Sequence, residues 1–116
     1  MPAPALNLLV LRAPDIEAAQ RFYSLLGFTF TKHAHGKGPE HYAAETGSLV
    51  FELYPQTDAA NSTANARIGF RVTGLDALLA RLLEGGATLI SPAKDSPWGR
   101  RAVVADPFGH KLELTE

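Results

Sequence analysis

The sequence contains the same order of elements twice, and this internal repeat constrains the fold more than any other feature. Each half predicts a strand, an amphipathic helix that ends at a glycine, and three further strands. The two helix-ending glycines, Gly27 and Gly86, lie about 60 residues apart, and Phe-Glu-Leu at 51–53 returns as Leu-Glu-Leu at 112–114. The sequence therefore predicts an α+β fold made of paired βαβββ modules, each with its helix on one face of its strands.

The predicted elements follow from apolar periodicity and from the residues that break it. Predicted strands cover residues 6–12, 28–33, 41–45, 48–54, 67–73, 87–90, 101–105 and 111–115. Predicted helices begin at the capping residue Asp15 and at Leu75, and end before Gly27 and Gly85. Residues 92–99 are predicted to form a loop and residues 106–109 a turn.

The length of 116 residues suits one ordinary domain. We predict that residues 1–116 form this domain, with a first module over 5–55 and a second over 67–116. The intervening residues 56–66 are small and polar and are predicted to form an exposed connector.

The composition excludes several classes of protein. There is no cysteine, so the chain has no disulfide and no thiolate metal site. A formal net charge of −1 without a basic run argues against a nucleic-acid partner. No apolar stretch is long enough to span a bilayer, and residues 1–11 do not have the pattern of a secretory signal. We therefore expect a cytoplasmic protein without a membrane or nucleic-acid partner.

Strand alternation separates the side chains into two sets, because successive residues of a strand point to opposite faces. The purely apolar set belongs under the helices, and comprises Leu49, Phe51, Leu53, Ile68, Phe70, Val72, Leu112 and Leu114. The opposite set mixes charged and apolar residues: Val50, Glu52, Tyr54, Arg67, Gly69, Arg71, Lys111, Glu113 and Thr115. Charged groups on such a face need partners or ligands, so this is where we expect the chemistry.

Three segments resemble the vicinal oxygen chelate superfamily, which includes glyoxalase I, bleomycin and fosfomycin resistance proteins, and extradiol dioxygenases. They are residues 15–23 before Leu26-Gly27-Phe28, residues 72–83 before Gly85-Gly86-Ala87, and residues 106–114, Asp-Pro-Phe-Gly-His-Lys-Leu-Glu-Leu. The resemblance implies paired βαβββ modules whose mixed sheets curl around a cup, a small-molecule ligand in that cup, and usually a homodimer. Activity does not follow, because this fold hosts many functions.

Metal-using members of that superfamily hold a divalent cation with four side chains, and the resemblance carries these positions onto Leu8, Glu52, Arg67 and Glu113. Leucine has no lone pair to donate, and arginine stays protonated. We therefore expect no metal. The positive charge of Arg67 would replace that of the metal between the carboxylates of Glu52 and Glu113. This cluster of three residues would have a local charge of −1. The partner of Arg67 could be Glu52 or Glu113 of another chain. A salt-bridge cluster that ties the modules together is the alternative role.

Further ligand-binding candidates are Tyr54, Arg71, Trp98, Arg101 and His41. Trp98 could stack on a planar ligand and Arg101 could hold an anion, or the tryptophan could cover the sheet edge beside solvated arginines. If His41 points into the cup, it could act as a base or a ligand. The other histidines, His33, His35 and His110, are predicted to lie near or in turns and to be solvated.

Three functions remain open at this point. The first is a metal-free dimer that sequesters or senses a small, partly apolar molecule and needs no cofactor. The second is an enzyme, a metal-dependent lyase, isomerase or dioxygenase that uses Glu52 and Glu113 as ligands or catalytic bases, with a third metal ligand such as His41. The third is a degenerate family member whose function is its dimer surface.

Overall fold

The computed structural model describes residues 2–116 and divides into two compact units at the bond between Ser62 and Thr63. That boundary lies within the predicted connector, residues 56–66. Each unit contains one α-helix and one four-stranded mixed sheet. The predicted α+β fold and its repeated element order are therefore confirmed.

The first unit follows the predicted βαβββ order. Its elements are β1 (Leu8–Ala13), α1 (Ile16–Ser24), β2 (Thr31–His33), β3 (His41–Thr46), β4 (Leu49–Pro55) and a short 3-10 helix (Ala59–Asn61). The strand order is β1-β4-β3-β2, in which β1 runs parallel to β4 and the remaining pairs are antiparallel.

The second unit repeats this arrangement. Its elements are β5 (Arg67–Arg71), α2 (Leu75–Glu84), β6 (Thr88–Ser96), β7 (Gly99–Ala105) and β8 (Lys111–Thr115). The strand order is β5-β8-β7-β6. Strand β5 runs parallel to β8, and the remaining pairs are antiparallel.

Helix α1 begins as its sequence predicts. The Asp15 side chain accepts hydrogen bonds from the backbone N–H of Glu17 at 3.0 Å and of Ala18 at 3.1 Å, so it satisfies two donors of the first turn. The buried face carries Ala19, Phe22 and Tyr23.

Helix α2 has a cap that sequence periodicity does not reveal. Its N-cap is Gly74, with a φ of 65° and no side chain to offer. The carboxylate of Glu116 instead accepts the backbone N–H of Gly74 at 3.0 Å and of Leu75 at 3.3 Å. A group 42 residues away in sequence therefore caps this helix, and Leu75, Leu78 and Leu82 on its inner face are buried.

The strand alternation places the cores where the sequence predicts them. Phe51 and Leu53 of β4 are 0% and 1% exposed, and Leu112 and Leu114 of β8 are each 0% exposed. The opposite face of each sheet, called the open face below, carries the mixed set of side chains. Each unit therefore has a helix-covered face and an open face.

Two element boundaries differ from the prediction by three residues or more. Residues 28–30 precede β2 and form no strand, although the rings of Phe28 and Phe30 pack on Phe51 with centroids 5.1 and 5.8 Å away. The predicted loop at 92–99 is wrong in its first half, because β6 continues to Ser96 through Pro92. Register shifts on both sides of Ser91 and a position at the sheet edge explain how a strand tolerates this proline.

Neither helix in residues 2–116 has the length and hydropathy of a membrane-spanning helix.

Candidate functional site

The open face of the second sheet is organised around Glu113, which lies on the central strand pair. Gly69 of β5 and Val103 of β7 are its direct neighbours in register. Gly69 has no side chain, and a Cβ built on it would meet no side-chain atom within 4 Å. Arg67, two residues before Gly69 on the same strand, reaches the Glu113 carboxylate.

Two guanidinium groups hold the Glu113 carboxylate, one at each oxygen. Arg101 donates from Nε to Oε1 at 2.6 Å. Arg67 donates from Nε to Oε2 at 3.0 Å, and its terminal nitrogen Nη2 lies 3.0 Å from the same oxygen as an ion pair. The partner of Arg67 is therefore Glu113 of the same chain. Charge-assisted hydrogen bonds of this kind are stronger and more directional than those between neutral groups.

This cluster of Arg67, Glu113 and Arg101 has a formal charge of +1, since it contains two guanidinium groups and one carboxylate. The predicted three-residue cluster of charge −1 omitted Arg101 and included Glu52. The hydrogen bond from Arg101, followed by the bond from Arg67, holds the pKa of Glu113 below its usual value of 4.5. The same contact with Glu113 raises the pKa of Arg101. Glu113 therefore stays ionised.

We expect Glu113→Gln to reduce the acid sensitivity of the protein. Because the pKa of Glu113 is lower in the folded state, its contribution to stability is present above pH 4.5 and lost as the pH falls through the folded-state pKa. The stability difference between the native protein and the variant should therefore shrink below pH 4.5. Thermal melts between pH 3 and 7, roughly the span over which carboxylates titrate, measure this difference. Glu84→Gln on α2 is the control, and a constant difference for Glu113→Gln would contradict the expectation.

The open face of the first sheet carries a row of aromatic and basic side chains, one from each strand. The row contains Arg12, Tyr54, His41 and His33, which the register aligns across β1, β4, β3 and β2. The His41 and Tyr54 rings are nearly parallel, 8° apart, with centroids 4.3 Å apart. The guanidinium carbon of Arg12 lies 5.4 Å from the centre of the Tyr54 ring. We call this set the aromatic row.

His41 lies on the open face of the first sheet and is buried there. It is 2% exposed, and its Nδ1 lies 3.2 Å from the carbonyl oxygen of Pro39. Its Nε2 lies 3.7 Å from Oε2 of Glu52, which faces the same side of the sheet. The ring centroids of His33, which belongs to the row, and of His35 lie 5.8 and 5.4 Å from that of His41. The His33 and His35 rings also stack on each other with centroids 5.7 Å apart, so their predicted solvated state is only partly correct.

A concavity of about 440 Å³ lies beside the aromatic row. Its lining residues come from β2, β3, β4 and the segment before β2: Thr29, Thr31, His33, Ala43, Glu45 and Val50. The lining mixes hydroxyl, imidazole, carboxylate and methyl groups. Such a surface suits a small ligand that is partly apolar. Leu8 follows on the same face, opposite Val50, and is 49% exposed.

The remaining candidates lie at different depths. Trp98 is 81% exposed at the turn between β6 and β7, so it does not cover the sheet edge. Arg100 pairs with Asp76 and Asp95 at 3.1 and 3.2 Å, and Arg101 pairs with Glu113. Neither arginine is therefore fully solvated. Arg71 is exposed on the open face of the second sheet.

The prediction that His110 is solvated is wrong. It is 1% exposed rather than solvated. Its Nδ1 lies 2.7 Å from Oδ2 of Asp106, and its Nε2 lies 2.6 Å from the hydroxyl oxygen of Thr63. The turn between β7 and β8 is therefore built on a buried polar network. The Asp-to-His spacing of four residues in sequence was the available signal.

Comparison with known proteins decides the family. The sequence matches the Glyoxalase/Bleomycin resistance protein/Dioxygenase superfamily over residues 5–114. The chain belongs to this superfamily. The resemblance carried by residues 15–23, 72–83 and 106–114 is therefore confirmed.

Solved structures of the superfamily share the fold along nearly the whole chain. TnmS3, an antibiotic binding protein from Streptomyces sp. CB03234, is 25% identical with a TM-score of 0.77 over 99% of this chain and 97% of its own. A glyoxalase/bleomycin resistance protein/dioxygenase family enzyme from Burkholderia phytofirmans PsJN is 20% identical with a TM-score of 0.76, over 96% of this chain and 97% of its own. The latter likeness concerns the fold alone.

Curated relatives match over a shorter segment. An uncharacterized protein of Mycobacterium bovis is 48% identical over 48 residues, which are 40% of this chain and 32% of that protein. The chain therefore spans about a third of the length of the curated relatives it matches.

The donor set at the superfamily's metal positions does not fit a divalent cation. Leu8 has no donor atom, and Arg67 brings a positive charge. Both oxygens of Glu113 already accept hydrogen bonds from guanidinium groups. Across residues 2–116, no group of three or more His, Asp or Glu side chains is arranged to hold a metal ion.

Proposed function

We propose that this superfamily member is a metal-independent, homodimeric protein that binds a small, partly apolar molecule on the open faces of its sheets. The observation that carries the proposal is the Arg67–Glu113–Arg101 cluster. In it, two guanidinium groups occupy the carboxylate that metal-using relatives offer to a cation. The charge of the Glu113 carboxylate is therefore compensated without a metal, and the cluster keeps a formal charge of +1.

The first sheet supports the binding of a planar apolar group. The half-buried Tyr54 ring, which stacks on the buried His41 ring and contacts the Arg12 guanidinium, lies beside the concavity of about 440 Å³. Offset or parallel stacking on such rings stabilises bound aromatic groups, and Glu52 offers an acceptor close by. TnmS3, an antibiotic binding protein that is similar over 99% of this chain, supports the same interpretation.

The homodimer draws its support from the sheet edge of the second unit. Leu89 and Ile90 of the edge strand β6 are 43% and 47% exposed, and Trp98 at the end of the same hairpin is 81% exposed. Apolar side chains gathered along an edge are typical of surfaces that a partner covers. Light scattering on a size-exclusion column tests this part, and a monomer at all concentrations would contradict it.

The binding function is tested with purified, untagged protein and a panel of planar aromatic antibiotics and aromatic acids. We expect at least one compound to raise the melting temperature equally with and without EDTA. A ligand at 100 times its Kd stabilises the folded state by about 2.7 kcal/mol, which a thermal-shift assay detects.

The opposing outcome is a metal-dependent enzyme with Glu52 and Glu113 as ligands or bases. After incubation with Ni²⁺, Zn²⁺, Mn²⁺ or Fe²⁺ and dialysis, we expect no stoichiometric metal. Stoichiometric metal that is lost in Glu52→Gln, but kept in the control Glu45→Gln on the same open face, would overturn the metal-independent function. Panel compounds that bind only in the presence of such a metal would overturn it as well.

A further inference from the structure

We infer that the open face of the second sheet contains a carboxylate-binding subsite at Gly69, so that a ligand bound on this sheet is an organic anion. This inference rests on the proposed function and adds the chemical class of the ligand. Its three supporting observations are the charge of the open face, the gap at Gly69, and the guanidinium donors left unused around that gap.

The open face of the second sheet is strongly basic. Strand register brings five cationic side chains to it, from all four strands: Arg67, Arg71, Lys94, Arg101 and Lys111. Glu113 is the one acidic residue at the register positions of this face within residues 63–116. The whole chain has a formal net charge of −1, so this surplus of positive charge is local. A local surplus attracts anions to one place on the molecule.

Gly69 leaves a gap in the middle of this basic face. It lies between Arg67 and Arg71 on β5, and a Cβ built on it would meet a single neighbour within 4 Å, the Glu113 carbonyl oxygen at 3.9 Å. The backbone at Gly69 is not in the left-handed region, so conformation does not require a glycine there. The missing side chain instead leaves open space that a small ligand group can enter.

The guanidinium groups around the gap keep donors for a second anion. Arg101 uses its Nε toward Glu113, which leaves its terminal nitrogens for another acceptor. Arg71 is exposed and takes part in no side-chain hydrogen bond or ion pair with residues 2–116. The planar guanidinium group of arginine matches the geometry of a carboxylate. Glu113 already orients two of the three guanidinium groups, those of Arg67 and Arg101. A ligand carboxylate can therefore bind without displacing Glu113.

The probes for this subsite are 2-naphthoate and 2-naphthamide, which share one ring system and differ in charge. Isothermal titration at low salt should show that 2-naphthoate binds at least about tenfold more tightly, a difference of about 1.4 kcal/mol. Added salt should reduce this preference, since it screens exposed charges.

Gly69→Val is the decisive variant, because it fills the gap without changing any charge. We expect it to abolish the preference for 2-naphthoate while the melting temperature stays the same or rises, since valine suits a strand. Arg71→Gln is the second variant and should weaken 2-naphthoate binding at least about fivefold without affecting 2-naphthamide. Arg81→Gln on α2 removes the same charge from the same unit and is the control.

Equal binding of the two probes would overturn the carboxylate subsite and leave the proposed function standing. An undiminished preference in Gly69→Val, or an equal loss in Arg71→Gln and Arg81→Gln, would show general electrostatic attraction and would also overturn it. Failure of both probes to bind would overturn the subsite, while the antibiotic and aromatic-acid panel judges the proposed function separately.

Discussion

Asp106→Ala is expected to lower the free energy of unfolding by about 3–5 kcal/mol, because it breaks a buried polar network. The Asp106 carboxylate accepts the backbone N–H of Phe108 at 2.8 Å and of His110 at 2.9 Å, and lies 2.7 Å from Nδ1 of His110. Its side chain is 0% exposed, so water cannot replace these bonds. Each buried donor left without an acceptor costs about 1–3 kcal/mol.

The consequence reaches the candidate site through strand register. The turn built on Asp106 and His110 joins β7 to β8, and these strands carry Arg101 and Glu113. Loss of the network should therefore also loosen the contact between Arg101 and Glu113. We expect Asp106→Ala to weaken the binding of 2-naphthoate as well as to lower stability.

Urea denaturation followed by circular dichroism measures the stability of this variant. Asp106→Asn should be intermediate, since its amide oxygen can still accept the two backbone N–H groups. Asp95→Ala is the exposed control, with a native side chain that is 87% exposed, and should stay within the ordinary scatter of surface substitutions. Equal effects of Asp106→Ala and Asp95→Ala would contradict the structural role of the network.

Phe51→Ala is the second large effect that we expect, with a loss of about 3–5 kcal/mol. Phe51 is 0% exposed, and the rings of Tyr23, Phe28 and Phe30 pack against it with centroids 5.1, 5.1 and 5.8 Å away. Removal of the ring leaves a cavity that three aromatic neighbours cannot easily fill, since protein interiors are closely packed.

The same urea denaturation applies to this variant. Phe51→Leu keeps most of the apolar volume and should cost less than half as much. Because Glu52 follows Phe51 on β4, we also expect Phe51→Ala to shift the Glu52 side chain relative to His41. Equal losses for alanine and leucine at this position would show that the ring contacts do not determine the packing.

The buried core and the candidate functional sites are connected through the strands that they share. The candidate functional side chains on each open face come from the same strands as the buried residues. They alternate with the buried residues along each strand. The helix-covered face sets the register, and the register decides which charged groups meet. The Arg67–Glu113–Arg101 cluster is a product of that register, as is the row of Arg12, Tyr54, His41 and His33.

A large part of this arrangement was predictable from the sequence. Apolar periodicity predicted both helices and all eight strands, since burial of one face imposes a spacing of two or about 3.6 residues. Strand alternation also assigned Glu52, Arg67 and Glu113 to the face away from the helices. The sequence missed β6 beyond residue 90, because Pro92 is a loop signal unless the strand is bulged and lies at an edge.

The repeat, the core and the face on which each charged side chain lies follow from the order of residues along the chain. These features depend on the spacing of apolar residues along the chain and on the polarity of each side chain. Tertiary structure alone decided the partners. Arg101 joined Arg67 at Glu113, His110 was buried against Thr63, which lies 47 residues earlier, and Glu116 capped a helix that begins 41 residues earlier. Such contacts depend on strand register and on distances between segments remote in sequence, which no local pattern encodes.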